Sequence, residues 1–369
     1  MKRIILAMFI AASTLYTLSS RGQGSLAPSS PPGPTMLTLA QIEPRTPISA
    51  VPYIITQPGS YYLTTNITVS SGNAISIATS NVTLDLSGFA ISSTTATAAG
   101  YGILINGGSR NITIAHGIIQ GSVTNNGSGA YSGSGFAYGI YYSGNAPVNV
   151  QISHVSVSGC EDYGIFIGNA DSTVVESCTV RTVGQYGIVA CIIKQSSAVD
   201  CGNDAIDGDA VSDCYGQSSD SSGCVAGETA LNCVGVSDGG ENGVSAPSAM
   251  NCHGFTFSGG GYGVSASIAQ NCYGEYSGTG TGDGINANSA ENCYGYYNGS
   301  GSGDGIYAYN LENCYGFDNG TGAGINALEI ANGCYGYSAS GVGVDAFIAS
   351  LCVGVGSTPY STSHNINTF

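Results

Sequence analysis

Apolar and polar positions alternate along short stretches of this chain, and the alternation itself recurs. In Asn81-Val82-Thr83-Leu84-Asp85-Leu86 and in Asn111-Ile112-Thr113-Ile114 every second residue is aliphatic, the pattern of a strand with one buried face. An aliphatic residue, usually after Gly, returns at Ile103, Ile140, Ile165, Ile188, Ile206, Val225, Val244, Val264, Ile285, Ile306, Ile325 and Val344. From Ile188 onward the steps are 18 to 21 residues. In the regular copies Ala follows two positions later, as at Ala246, Ala266, Ala287, Ala308 and Ala346, so both side chains share one strand face.

A cysteine ladder keeps step with the aliphatic one. Cys214, Cys233, Cys252, Cys272, Cys293, Cys314, Cys334 and Cys352 are separated by 19, 19, 20, 21, 21, 20 and 18 residues. The shared text is G-[IV]-x-A-x-x-A-x-N-C-Y-G followed by a Gly/Ser/Thr-rich turn. A unit near 20 residues cannot close a core alone and must stack on its neighbours. Like rungs then pair in parallel, and parallel connections prefer the right-handed sense. The expected fold is all-β: a right-handed parallel β-helix, a solenoid with coils of about 18–25 residues. Asn before Cys (Asn232, Asn251, Asn271, Asn292, Asn313) suits a left-handed bend, where its amide can bond to the next coil.

Composition agrees with thin, stacked β-structure: 57 of 369 residues are Gly, there is no Trp, and only 8% are charged. Lys2 and Arg3 precede an apolar run, Ile4 to Ala12, then small and polar residues, which reads as a secretory signal over 1–24. A Pro/Ser-rich lead-in follows at 25–36. The β-helix is expected over 37–356, with irregular coils at 37–190, regular Cys/Tyr/Gly repeats at 191–356, capping material near 37–55 and a tail or cap at 357–369. No second apolar run approaches membrane length, so the mature chain is expected to be secreted or held in the cell envelope, with no transmembrane segment. Every Lys and Arg lies at or before Lys194, whereas 17 of 23 carboxylates lie at or after Asp200. Nucleic acid is therefore excluded as a partner, since phosphate neutralisation needs clustered cations. An acidic polysaccharide would be repelled without bridging cations.

Three passages carry a resemblance: Gln57-Pro58-Gly59-Ser60-Tyr61-Tyr62-Leu63, Asn81 to Ile91, and Asn111 to Ile119. They resemble the opening coils of secreted bacterial right-handed parallel β-helix proteins of the pectate-lyase-like superfamily. The resemblance covers roughly residues 50–190 by motif and reaches about 355 through the repeat. It implies a β-helix whose outer strands or loops engage carbohydrate. Members include polysaccharide lyases, glycoside hydrolases and proteins without known activity, with carboxylates in a groove and Arg or Lys as the lyase base.

Catalytic candidates are sparse. A lyase base could come from Arg45, Arg110, Arg181 or Lys194, and Arg181, Lys194 and Glu176 could share a groove. Hydrolysis needs two facing carboxylates. Asn203-Asp204-Ala205-Ile206-Asp207-Gly208-Asp209 comes nearest but lacks adjacent aspartates, and His116 precedes rather than follows it. Within the acid cluster Asp200 to Asp213, the oxygens of Asp204, Asp207 and Asp209 would suit calcium, the one cofactor to expect. The Gly-Asp-Gly-Ile turns at 282–285 and 303–306 half resemble calcium-binding nonapeptide repeats.

The thirteen cysteines include no CxxC pair. A buried stack of reduced thiols is the reading for the regular ladder. Cys160, Cys178, Cys191, Cys201 and Cys224 lie off it or in irregular coils, where bridges form more easily. If the ladder Cys points inward, the next residue points out, exposing Tyr215, Tyr273, Tyr294, Tyr315 and Tyr335, with Tyr296 and Tyr337 two positions further on sharing that face. Such a strip is a candidate ligand platform of Tyr273, Tyr294, Tyr296, Tyr315, Tyr335 and Tyr337; stacked tyrosines also stabilise neighbouring rungs without any ligand. The function expected is a non-catalytic exported protein that binds glycans, polysaccharide or cell-surface material. The alternative is a polysaccharide lyase or glycoside hydrolase of the pectate-lyase-like type.

Overall fold

The computed structural model describes residues 44–169 and 172–366. The signal-like and lead-in segments lie outside the described residues, as do positions 37–43. Among the described residues there are strands, turns and no helix. Fifteen strands form one parallel ladder, from Tyr53–Ile55 through Ile75–Ile77 and Ile285–Glu291 to Thr358–Ile366. This is the first face of a parallel β-solenoid of about 15 turns. A second face continues from it around a bend. A third face stacks strands such as Tyr273–Tyr276, Tyr294–Tyr297, Tyr315–Asp318 and Tyr335–Ser338.

The sequence ladders become side-chain columns. Ile188, Ile206, Val244, Val264, Ile285, Ile306, Ile325 and Val344 stack inside the first face, all fully buried. One rung differs from expectation: Cys224, not Val225, pairs with Ile206 and Val244 and fills the inward place. Cys224 follows Gly223 as Val244 follows Gly243, so the place after Gly marks the inward residue and a rule restricted to aliphatic residues passes over the cysteine there. The ends differ too. Thr46–Ile48 and Tyr53–Ile55 pair in register with later coils rather than forming a separate cap. Thr358–Ile366, within the stretch expected as a tail or cap, is the fifteenth rung of the first face.

The cross-section is narrow at the junction of the first and third faces. A Cβ on Gly284 would lie 2.4 Å from the Tyr296 nitrogen and 2.6 Å from the Gly305 oxygen. One on Gly295 would lie 2.1 Å from that same oxygen. The Gly of Gly-Ile and the Gly of Tyr-Gly are therefore obligatory where two backbones touch.

At the corner between the second and third faces Asn232, Asn251, Asn271, Asn292 and Asn313 all adopt φ of 51–53°. Asn251 donates to Asn232 (3.1 Å) and Asn271 to Asn251 (3.3 Å), the ladder that the repeat implied. The following Cys points inward and its thiol donates to the carbonyl two residues back, as Cys293 does to Glu291 at 3.2 Å. Cys178 and Ser196 occupy the same column below Cys214, so Cys178 belongs to the ladder rather than off it. Ser196 makes the equivalent bond to the Lys194 carbonyl at 2.8 Å. This position holds a small side chain whose donor adds a second bond to a carbonyl that already accepts an amide of the preceding coil.

Candidate functional site

The third-face strands repeat Tyr-Gly-x-x with burial alternating outward, inward, outward, inward. Inward ladder cysteines put Tyr273, Tyr294, Tyr315 and Tyr335 outside in one column, with Tyr215 and His253 in the same column below them. A second column two residues on holds Phe255, Glu275, Tyr296, Phe317 and Tyr337. All six tyrosines expected on one face are brought together there.

Their geometry changes what the face can offer. Tyr273 and Tyr294 stack with centroids 5.4 Å apart and planes 11° apart; Tyr294–Tyr315 and Tyr315–Tyr335 follow at 4.8 and 4.6 Å, both at 8°. Phe317 and Tyr337 stack at 4.5 Å and 13°. Ring faces within a column lie against neighbouring rings, so no sugar can lie flat on them as on an isolated aromatic. The face presents ring edges and phenol hydroxyls instead, at the spacing of the rungs. Tyr273 donates to Glu275 at 2.9 Å, and burial followed by that carboxylate pushes its phenol up.

Two tyrosines escaped sequence reasoning. Tyr276 and Tyr297, at the fourth strand position, are fully buried and stacked at 5.3 Å and 3°. Each hydroxyl is held inside the glycine-rich turn: Tyr297 donates to the Gly280 carbonyl (2.8 Å) and accepts from the Gly301 amide (2.8 Å). The available signal was the two-residue alternation, which puts a Tyr three places after an outward Tyr on the opposite face.

A second aromatic group stands on the first face in the irregular coils. Tyr101 and Tyr138 stack at 4.6 Å, Tyr138 and Tyr163 lie 5.5 Å apart, Tyr163 and Tyr186 5.8 Å, and Tyr163 and Phe166 4.9 Å. The recurrent Tyr-Gly-Ile text at 101–103, 138–140, 163–165 and 186–188 could have revealed it. In the following coils the same position is polar at Asp204, Ser222, Asn242, Asp283 and Asp304, with Tyr262 and Ala323 as exceptions. There Asp204 accepts from the Ser222 amide (3.0 Å), Asn242 from Tyr262 (2.9 Å), Asp283 from Asp304 (2.9 Å) and Asp304 from Ala323 (2.6 Å). These carboxylates and the Asn242 amide cap the next coil at a turn. The Asp of the Gly-Asp-Gly-Ile text thus caps the backbone of the next coil.

Of the three aspartates expected to hold calcium, Asp204 also accepts from the Ser221 hydroxyl at 2.6 Å. Asp207 faces outward between Val189 and Val225. Burial, then the Asp204 carboxylate, pushes it up to about 6, partly offset by the Asn169 amide. Asp209 lies two residues further along the same strand. Among the described residues no group of three or more His, Cys, Asp or Glu side chains gathers as metal ligands would. Asp200, the head of the acid cluster, instead anchors a hairpin, Ser122–Asn125 with Tyr131–Ser134. It accepts from Asn125 (2.7 Å), Tyr131 (2.9 Å) and Thr182 (2.8 Å).

The proposed lyase trio is divided. Glu176 and Lys194 oppose each other on adjacent coils of the second face, whereas Arg181 lies on the third. Arg45 pairs with Asp85 at 3.0 Å and covers the Tyr62 ring at 4.5 Å, a structural role. His116 sits at a left-handed corner, φ 58°, 3.3 Å from Asp85.

Compared with protein-family models and with curated proteins, the chain matches none. Among solved structures it is similar to the A-module of mannuronan C-5 epimerase AlgE4 from Azotobacter vinelandii, at 12% identity and a TM-score of 0.40, covering 84% of this chain and 88% of that one. It is also similar to the Dettilon tailspike protein gp208, at 13% identity and a TM-score of 0.29, covering 88% of this chain and 61% of that one.

Proposed function

We propose that the chain is an exported, non-catalytic β-solenoid that binds neutral glycan or other surface material along its third face. The observation that carries this reading is the pair of aromatic columns, with Glu275 as the one carboxylate among the outward positions from Tyr273 to Tyr337. Hydroxyls and ring edges repeat there at each rung, a comb suited to a polymer that repeats along the same axis. The net charge of −16 favours a neutral ligand over an acidic one.

A glycan array probed with the protein tests it, with and without calcium, the ion that the text of Asp204, Asp207 and Asp209 led us to expect. Wild type is expected to be retained, and a Tyr294→Ser/Tyr315→Ser variant with unchanged circular dichroism to lose at least tenfold in affinity. Equal retention of the variant would overturn the reading. One observation favours the second reading, a polysaccharide lyase or hydrolase: Asp207, raised to about 6 beside Asp204, is poised as a proton donor near neutral pH. Release of unsaturated or reducing ends, abolished by Asp207→Asn, would establish that reading instead.

A further inference from the structure

The thiol column is a chemically reactive feature that the surface-binding reading leaves unused. Eight cysteines from Cys214 to Cys352 occupy the same corner position on successive coils, because the residues that follow them pair in strict register. All are 0–3% exposed. From Cys233 to Cys352 successive thiols are neighbours down the column, and Cys233 also neighbours Cys224. The Cys272 amide donates to the sulfur of Cys293 at 3.5 Å. Structural need alone does not account for this purity: Ser196 makes the same carbonyl bond from the same column, so serine would serve.

Rung spacing matches a particular coordination. Two metal–sulfur bonds of about 2.3 Å placed in line span about 4.6 Å, close to the separation of about 4.8 Å between stacked strands. A two-coordinate cation bound at a length near that of a zinc–thiolate bond therefore matches the rung spacing. Zinc does not fit, since it takes four ligands and no group of three or more His, Cys, Asp or Glu side chains is gathered among the described residues. Soft thiolates select Cu(I) among such ions. Charge also balances. Eight thiolates leave seven gaps, and seven monovalent cations would leave the buried column with one net negative charge. A surface groove runs along this corner beside Cys178, Ser196, Cys214 and Tyr215.

We propose that the corner cysteines form a linear site for soft monovalent cations, Cu(I) or Ag(I), each held between the sulfurs of two successive coils. Each thiol joining a metal gives up its proton to solvent, each interior thiolate bridges two cations, and no electron is transferred.

The test is anaerobic titration of the reduced full chain with Cu(I), in competition with a chromophoric Cu(I) chelator and with Ag(I) and Zn(II) in parallel arms. Cu(I) and Ag(I) are expected to bind at several equivalents, approaching seven, with proton release and a sulfur-to-copper charge-transfer band. Zn(II) is expected to bind at least a hundredfold more weakly. The alternating variant Cys233→Ser/Cys272→Ser/Cys314→Ser/Cys352→Ser keeps every carbonyl bond and leaves no two neighbouring thiols in the column. It should lose the band and at least nine-tenths of the bound copper. Full copper retention by that variant, or no uptake by wild type, would overturn the proposal. Should the variant fail to fold, copper-edge X-ray absorption of the loaded wild type decides: two sulfurs per copper support the site, and three or more contradict it.

Discussion

Asp283 and Asp304, one coil apart, are joined through the backbone: the Asp304 amide donates to the Asp283 carboxylate at 2.9 Å, and both side chains are buried. Asp304 passes the arrangement on to the Ala323 amide at 2.6 Å, and its other oxygen accepts from Asn326 at 2.7 Å. Burial raises Asp283 from the ordinary 3.8 to about 6. It raises Asp304 to about 7, with the neighbouring Asp283 charge as the next cause.

Stability should therefore fall as pH rises. Folding strengthens proton binding at both carboxyls, so their contribution is fully present below about pH 4 and is lost as pH passes through 6 to 7. For Asp304 the effect is on the order of 2–4 kcal/mol at pH 8. Asp304→Asn keeps an oxygen for the Ala323 amide and removes the charge, so its melting temperature should exceed wild type at pH 8 and converge with it near pH 4.5. Thermal melts across pH 4–8 decide, and parallel profiles for the two proteins would refute the assignment.

Tyr297 should matter through its hydroxyl alone. Tyr297→Phe leaves the Gly280 carbonyl and the Gly301 amide without their partner, a cost of about 1–3 kcal/mol. Hydrogen exchange at Gly301 should accelerate by roughly tenfold or more, while amides of the neighbouring first-face strand change little. Unchanged protection at Gly301 would contradict the role assigned.

Cysteine at the corner should be replaceable by serine and not by valine. Cys293→Ser retains a donor for the Glu291 carbonyl, as Ser196 does for Lys194, and should cost about 1 kcal/mol. Cys293→Val removes the donor and adds volume, and should cost about 2–4 kcal/mol. Urea unfolding of the two variants tests the order, and a valine variant as stable as the serine one would refute it.

Most of the fold was legible because its periodicity is covalent. A column such as Ile285, Ile306 and Ile325 is a sequence spacing before it is a contact, and the inward Cys and outward Tyr follow from one-residue alternation. The inward side of Tyr276 and Tyr297 could be read from the alternation, but their hydroxyl partners could not, because these are turn atoms whose position no spacing reports. The roles of Asp204 and Asp283 were hidden for the same reason: acids clustered in text look like ligands, whereas each caps the following coil. The exchange of Cys224 for Val225 shows a different limit, since a cysteine can fill an inward place that an aliphatic-only pattern does not count.

Glycine at the touching backbones should be the least forgiving position in the chain. Gly284→Ala places a methyl group 2.4 Å from the Tyr296 nitrogen, and no neighbouring backbone can withdraw without breaking its ladder bonds. Overpacking of this kind costs about 3 kcal/mol or more, and expression as aggregate or a melting temperature at least 10 °C lower is expected. Gly260→Ala, with nothing within 4 Å, should be silent. Equal behaviour of the two would mean that the faces do not meet as described.

The stacking of coils in register underlies every statement above, and a crystal structure of the full chain measures it most directly. The Cα atoms of Tyr294 and Tyr315 should lie about 4.8 Å apart, as parallel neighbours do, with Cys293 and Cys314 side by side beneath them. A separation beyond roughly 7 Å, or ladder cysteines facing different sides, would contradict the account.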